Sequence, residues 1–260
     1  MYTDSHTHLY LDAFSGDRYE MVKRALEAGV ERMFLPNIDT NTTQALFSLA
    51  DKYPGNCFPM MGLHPTSVKE NYREELASIK ELVNRQGIIA IGETGIDLYW
   101  DKTFMREQEM AFKIQIGWAR ALGLPLVIHA RDSFQEIFRA LNETGTEGLR
   151  GVFHSFTGGA AELERALSYN FMIGINGIVT FKNSDLEEVV RAIPSDRILL
   201  ETDAPFLAPV PFRGRRNESS YLVHIAAKVG EIYNLSGEEV GAITTRNAMD
   251  LFQISRPNGS

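Results

Sequence analysis

Tyr2-Thr3-Asp4-Ser5-His6-Thr7-His8-Leu9 opens the chain as a short strand, Tyr2 to His6, whose exit carries two histidines, and no glycine-rich turn follows it. That missing turn decides between two folds. A doubly wound nucleotide-binding sheet uses glycines after its first strand to bring the backbone against a pyrophosphate. Side chains two apart on a strand share a face, so His6 and His8 can present their imidazoles side by side, with Asp4 one step deeper.

Seven more apolar runs of strand length follow: Arg32 to Pro36, Phe58 to Leu63, Ile88 to Gly92, Leu124 to His129, Gly151 to His154, Phe171 to Ile175 and Arg197 to Glu201. Stretches with apolar residues at helical spacing lie between them: 18–28, 42–52, 74–85, 104–122, 133–144, 160–168 and 185–193. Two more close the chain, 220–233 and 238–252, the latter preceded by the capping-box pair Ser236 and Glu239. Near-continuous apolar strands alternating with helices imply a parallel sheet covered on both faces. A length of 260 residues suits a closed barrel. No internal repeat or Pro/Gly linker divides the chain. The expected fold class is α/β: a single-domain (β/α)8 TIM barrel with an extra C-terminal helix, spanning 1–254. The polar segment 255–260 is expected to be a disordered tail.

Composition narrows the function classes. Lys and Arg number 26 against 34 Asp and Glu, a net charge of -8, so the surface as a whole does not attract nucleic acid. Attraction of an anionic substrate has to be local, from metal ions or a small basic patch. The single cysteine, Cys57, excludes an internal disulfide and suits a reducing compartment. Its apolar setting, Cys57-Phe58-Pro59-Met60-Met61, marks it as a small buried hydrophobe. No stretch approaches the roughly 18 apolar residues of a spanning helix. The N-terminus has neither the basic nor the apolar region of a secretion signal. A cytoplasmic monomer with no membrane contact is the expectation.

In a barrel, chemistry gathers at the C-terminal ends of the strands. Those ends carry His6 and His8, then His64, Glu93, His129 and His154, then Glu201 and Asp203. Of the chain's six histidines, only His224 falls elsewhere. One histidine at a strand exit is usually a hydrogen-bonded structural residue. So many titratable groups at one mouth are costly without a metal or substrate to justify them. Imidazole and carboxylate donors without thiolate suit Zn, Mn, Fe or Ni, and carboxylate-rich subsites accept Mg. Asp97 reads equally well as a turn residue or as a support behind a ligand. Glu201 reads as an orienting group, a further ligand or the partner of a buried cation. The glycines flanking Glu93 either make a turn or admit close backbone approach.

Taken in order, these motifs resemble the TatD-type metal-dependent deoxyribonucleases of the amidohydrolase superfamily. The matching segments are Asp4-Ser5-His6-Thr7-His8-Leu9, Gly62-Leu63-His64-Pro65, Gly92-Glu93-Thr94-Gly95-Ile96-Asp97 and Ile128-His129-Ala130-Arg131-Asp132. His154-Ser155-Phe156-Thr157-Gly158, Glu201-Thr202-Asp203-Ala204-Pro205, Arg215-Arg216-Asn217-Glu218 and Arg246-Asn247-Ala248 complete the set. The resemblance implies two divalent ions (Mg, Mn or Zn). His6, His8, Glu93 and Asp203 would hold one; Glu93, as a bridge, with His129 and His154 would hold the other. It implies Asp203 as general base, beside Glu93 at the catalytic centre, and His64 and Arg131 near a substrate phosphate. Strand four offers Glu93 and no lysine, which favours this branch over the urease-like one. One departure is Ser219, where the family often has proline after Asn-Glu; the loop is expected to enter its helix differently.

The basic cluster Arg213-Gly214-Arg215-Arg216 is either a phosphate grip or a solvated loop. Phe206, Phe212 and Tyr99-Trp100 are either base-stacking groups or loop anchors. The function expected is a DNase of 3'-5' exonuclease type, acting on single-stranded DNA or DNA ends. The alternative is a metal-dependent hydrolase of a small amide, lactone or phosphoester.

Overall fold

The first strand, β1 (Tyr2–Asp4), lies parallel to β2 (Val30–Pro36), which lies parallel to β3 (Cys57–Met60). A second arc runs β4 (Ile91–Asp97), β5 (Leu126–Arg131), β6 (Gly151–Phe153), β7 (Met172–Ile175) and β8 (Ile198–Leu200), parallel throughout. Backbone hydrogen bonds cross both gaps between the arcs. On one side Met61 N–H donates to Ala90 O (3.1 Å) and Gly92 N–H to Met61 O (2.9 Å). On the other, Ser5 N–H donates to Leu200 O (3.0 Å) and Asp203 N–H to His6 O (2.9 Å). The computed structural model, which describes residues 1–254, is therefore the (β/α)8 barrel that the alternation predicts. The expected tail, 255–260, lies outside the described residues.

Each strand is followed by its helix: α1 (Arg18–Glu27), α2 (Thr43–Lys52), α3 (Tyr72–Val83), α4 (Met105–Leu122), α5 (Phe134–Thr144), α6 (Ala160–Ser168), α7 (Leu186–Ala192) and α8 (Leu222–Tyr233). The additional helix, α9 (Gly237–Phe252), starts with the expected reciprocal cap. Ser236 Oγ accepts from Glu239 N–H, and the Glu239 carboxylate accepts from Ser236 N–H at 2.8 Å. Its last turns have a specific task. Ala248, Leu251 and Phe252 pack with Phe34, Met60, Ala90, Val127, Val152, Met172 and Leu199, contributed by or beside seven strands. The helix thus closes one end of the barrel with apolar side chains. Asn247 fixes it there, donating to Ser195 O (2.8 Å) and Ile198 O (2.9 Å) at the start of β8. A larger apolar layer, including Cys57, fills the space between strands and surrounding helices.

Most strand boundaries shift by a few residues from the sequence reading, and two of the shifts bear on the candidate site. β1 ends at Asp4, so His6 and His8 stand beyond the strand and owe their positions to neighbours instead. Thr7 N–H donates to Phe34 O (3.0 Å) and His8 N–H to Ala204 O (2.8 Å). β4 runs on through Glu93 to Asp97 rather than ending at Gly92. The glycines mark close approach, not a turn: a Cβ on Gly95 would lie 2.0 Å from His129 O of β5. The β4–β5 register shifts between Ile91 and Thr94. That bulge re-aims one side chain, Glu93, into the barrel.

Candidate metal centre

Five histidines and two carboxylates converge at the end of the barrel opposite α9. The Glu93 side chain is 2% exposed and stands in their midst. Its two oxygens face different partners. Oε2 lies 3.0 Å from His6 Nε2 and 3.6 Å from His8 Nε2. Oε1 lies 2.8 Å from His129 Nδ1, 3.2 Å from His154 Nε2 and 3.3 Å from His64 Nε2. Asp203 Oδ1 stands 3.5 Å from His8 Nε2 and 3.8 Å from His6 Nε2. Three groups have donor atoms close enough to share an ion: His6, His8 and Asp203; His6, Glu93 and His154; His64, Glu93 and His129.

The donor set fits divalent cations. His6 Nε2 and His8 Nε2 are 3.2 Å apart, a distance at which two lone pairs need a proton or a cation between them. Within 4 Å, the carboxylates of Glu93 and Asp203 meet histidine nitrogens and no Lys or Arg among the described residues. The far nitrogens of three rings are engaged so that the near ones point inward. His154 Nδ1–H donates to Glu201 Oε1 (2.9 Å), which also accepts Ser155 N–H (2.6 Å). His129 Nε2–H donates to Asp97 Oδ2 (2.9 Å). His8 Nδ1–H donates to the Tyr10 hydroxyl oxygen (3.0 Å), because that hydroxyl spends its own proton on Pro36 O. His6 Nδ1 is buried without a partner among the described residues, its ring stacked 3.6 Å from that of His154.

His64 is wired the other way round. Its Nδ1 accepts Thr66 N–H (3.1 Å), so in the neutral ring the proton sits on Nε2, facing Glu93. Burial lowers its pKa, against the pull of Glu93. His64 therefore enters the site as a hydrogen-bond donor, unlike the other four.

Electrostatics follow from this crowding. Burial alone would raise the Glu93 pKa, but His154, His64 and His6 outweigh it and hold the carboxyl well below its usual range. Asp203 is likewise lowered, because the His8 hydrogen bond and the His154 and His6 charges overcome its burial. Burial opposes charge on His154, yet Glu201 and Glu93 raise its pKa well above the ordinary value. Beneath the site, burial pushes Asp4 up to about 7 against four hydrogen bonds, from Ser219, Thr202 twice and His6. The Ser219 hydroxyl donates to Asp4 Oδ2 at 2.6 Å. The serine at the family's proline position thus ties the loop after β8 to the first strand, and a 3-10 turn, Ser219–Tyr221, leads into α8. Asp132, Ser155 and Asp203 leave β5, β6 and the β8 segment at φ 53°, 47° and 57°. Such left-handed non-glycine backbone clusters where a site imposes it.

The open end is a cleft of about 380 Å³ whose lining includes His8, His64, Glu93, His129, His154 and Asp203, with Arg131, Trp100 and Phe206 at its rim. The basic loop departs from expectation. Arg216 lies with both terminal nitrogens on Asp17 (2.7 and 2.6 Å) and one also on Ala13 O, so its charge is already paired with a carboxylate. Arg213 lies over the Phe181 ring. Neither these two nor Arg215 lines the cleft. Phe212 stacks on Tyr221 at 4.0 Å with His224 edge-on, so it is a loop anchor, and His224 is part of that packing. Tyr10, which orients His8, and Asn247, which anchors α9, are residues whose roles the sequence reading does not assign.

A barrel with this cluster of imidazoles and carboxylates at its strand ends defines a metal-dependent hydrolase. Residues 3–253 match the family model described as TatD related DNase. The chain belongs to that family. It is 39% identical to the metal-dependent hydrolase YabD of Bacillus subtilis, covering 98% of this chain and 100% of the relative. It is 35% identical to the 3'-5' ssDNA/RNA exonuclease TatD of Pantoea vagans, covering 97% and 99%. Among solved structures, the TatD homolog YJJV of Escherichia coli K12 superposes with a TM-score of 0.91 at 26% identity, over 98% of both chains. Among the described residues no helix is long and apolar enough to cross a membrane.

Proposed function

We propose that this chain is a phosphodiesterase that removes nucleotides from the 3' end of single-stranded DNA, using two divalent ions held by His6, His8, Glu93, His129, His154 and Asp203. The observation that carries the two-ion reading is the division of Glu93: one oxygen serves the His6–His8 side, the other the His129–His154 side. A bridging carboxylate is built that way. Mg, Mn and Zn suit the donors. Bound divalent ions would polarise the phosphoryl oxygens and lower the pKa of water.

The chain's own groups do the rest. Asp203, held ionised by the neighbouring imidazoles, would accept a proton from the attacking water. Glu201 and Asp97 keep His154 and His129 in the tautomers that point inward. His64 donates from Nε2 to a phosphate oxygen, and Arg131 supplies positive charge at the same rim. The local basic rim answers the requirement set by the net charge of -8. The reading is of a monomer working in the cytoplasm on DNA; the Pantoea vagans relative is named an exonuclease of single-stranded DNA and RNA.

Single-stranded oligonucleotides labelled at one end or the other test this directly, beside a panel of RNA, small phosphoesters, lactones and amides. Metal-loaded protein is expected to shorten DNA from the 3' end. DNA left intact while a lactone or amide is hydrolysed would replace this reading with a carbonyl hydrolase.

A further inference from the structure

The rim holds an aromatic pair that the metal chemistry does not use. After β4, Leu98 is buried, then Tyr99 and Trp100 turn outward, 54% and 70% exposed. Among the described residues, Trp100 is the most exposed of the large hydrophobic side chains. A loop anchor would be covered, as Phe212 is. An indole left in water forgoes the stabilisation that burial of so large a ring would give. Its place is not loose, however. Asp97 Oδ1 accepts the N–H groups of both Tyr99 (3.0 Å) and Trp100 (3.3 Å), while Asp97 Oδ2 accepts from His129. One carboxylate therefore fixes the aromatic turn and a metal-facing histidine together. Tyr99 and Trp100 stand edge-to-face, 4.9 Å apart. The Arg131 guanidinium lies 3.9 Å from the Tyr99 ring centre and 5.4 Å from that of Trp100.

We propose that Trp100, braced by Tyr99 and Arg131, is a stacking platform for an unpaired nucleobase next to the scissile phosphate. The proposal rests on the nuclease reading above and names its substrate class: a strand whose reacting end is not base-paired. Trp100 lines both the central cleft and an adjoining cavity of about 250 Å³ that also contains Lys69. A phosphate held at the centre thus places its neighbouring nucleoside toward the indole. The opposite side of an eight-stranded ring from β4 is β8, and there Phe206, 51% exposed, lines the same cleft. Every base has a π-face, so such a platform tolerates all sequences. It rejects a paired base, whose faces are already stacked within the duplex.

The chain has two tryptophans, so Trp118→Phe leaves Trp100 as the only indole. Metal-loaded Trp118→Phe protein is mixed rapidly with a single-stranded oligonucleotide, an abasic oligonucleotide of the same length, or a blunt duplex, and indole fluorescence is read before turnover. Quenching by the single strand and not by the other two is expected. In steady state, Trp100→Ala is expected to raise KM for single-stranded DNA about tenfold with kcat little changed, and Trp100→Phe to recover most of the loss. Equal quenching by the abasic strand, or an unchanged KM in Trp100→Ala, overturns the platform while leaving the nuclease reading standing. Base-dependent quenching without cleavage by the loaded wild-type chain keeps the platform and removes the nuclease.

Discussion

The two ends of this barrel are made by the same eight strands and are chemically opposite. At one end Phe34, Val127, Val152 and Leu199 meet α9 and form an apolar plug. At the other, strands or their exits deliver His6, His8, Glu93, His129, His154 and Asp203 to the floor of an open cleft. The closed end holds the ring together through burial. The open end brings mutually repelling donors to within 3.2 Å of one another and relies on cations for compensation. Stability and chemistry are thus separated along the barrel axis, and substitutions at the two ends are expected to behave differently.

The largest effect is expected at the open end. Asp203→Asn keeps shape and removes the proton acceptor, so kcat should fall by about 10²–10⁴-fold. Its melting temperature should match that of the parent chain. Retained turnover in folded, metal-loaded protein would take the base role away from Asp203. The converse substitution is Phe252→Ala, which opens a cavity in the plug and should cost about 3–5 kcal/mol. A drop in melting temperature of roughly 10 °C is the expected reading, with activity per folded molecule unchanged. A loss of turnover without loss of stability would erase the separation of the two ends.

Much of this contrast is legible in the sequence, and the part that is not has a physical reason. The strand-exit histidines are visible because near-continuous apolar runs end abruptly in them. The reciprocal Ser236–Glu239 cap is visible because it is local. The continuation of β4 through Gly92-Glu93-Thr94-Gly95 is not, since glycine serves a turn and a close strand approach equally well; only the crowding against β5 distinguishes them. The alternatives for Asp97 and Glu201 stay open in the sequence, because what separates a ligand from an orienting group is which ring nitrogen it faces. Arg216 resembles a phosphate grip until its partner, Asp17, is found 199 residues away. No local pattern carries that pairing, nor the hold of Asn247 on the start of β8.

A smaller effect sharpens the role of the groups behind the ligands. Glu201→Gln leaves the His154 ring without its anionic partner, and metal affinity should weaken about 10–100-fold. Chelator competition measures it, and an unchanged affinity would reduce Glu201 to a structural carboxylate.

The mildest expectation concerns pH. In metal-free protein, the raised His154 pKa gives stability that is fully present below 6.5 and lost as pH rises through the folded value. The lowered Glu93 pKa gives stability present above 4.5 and lost as pH falls through its folded value. Metal-free protein should therefore be most stable between the two. Cations replace the His154 proton, so metal loading should release protons near neutral pH and flatten the alkaline decline. Calorimetry in buffers of different ionisation heat reads the release directly, and its absence would contradict the assignment of His154.

Everything at the open end turns on the proposed role of Glu93 as a carboxylate bridging two ions. Equilibrium metal titration of the wild-type chain and of Glu93→Gln tests it most directly. Two ions per wild-type chain, with both sites weakened together by Glu93→Gln, is the predicted result. A variant that keeps either site at its original affinity would contradict the bridge.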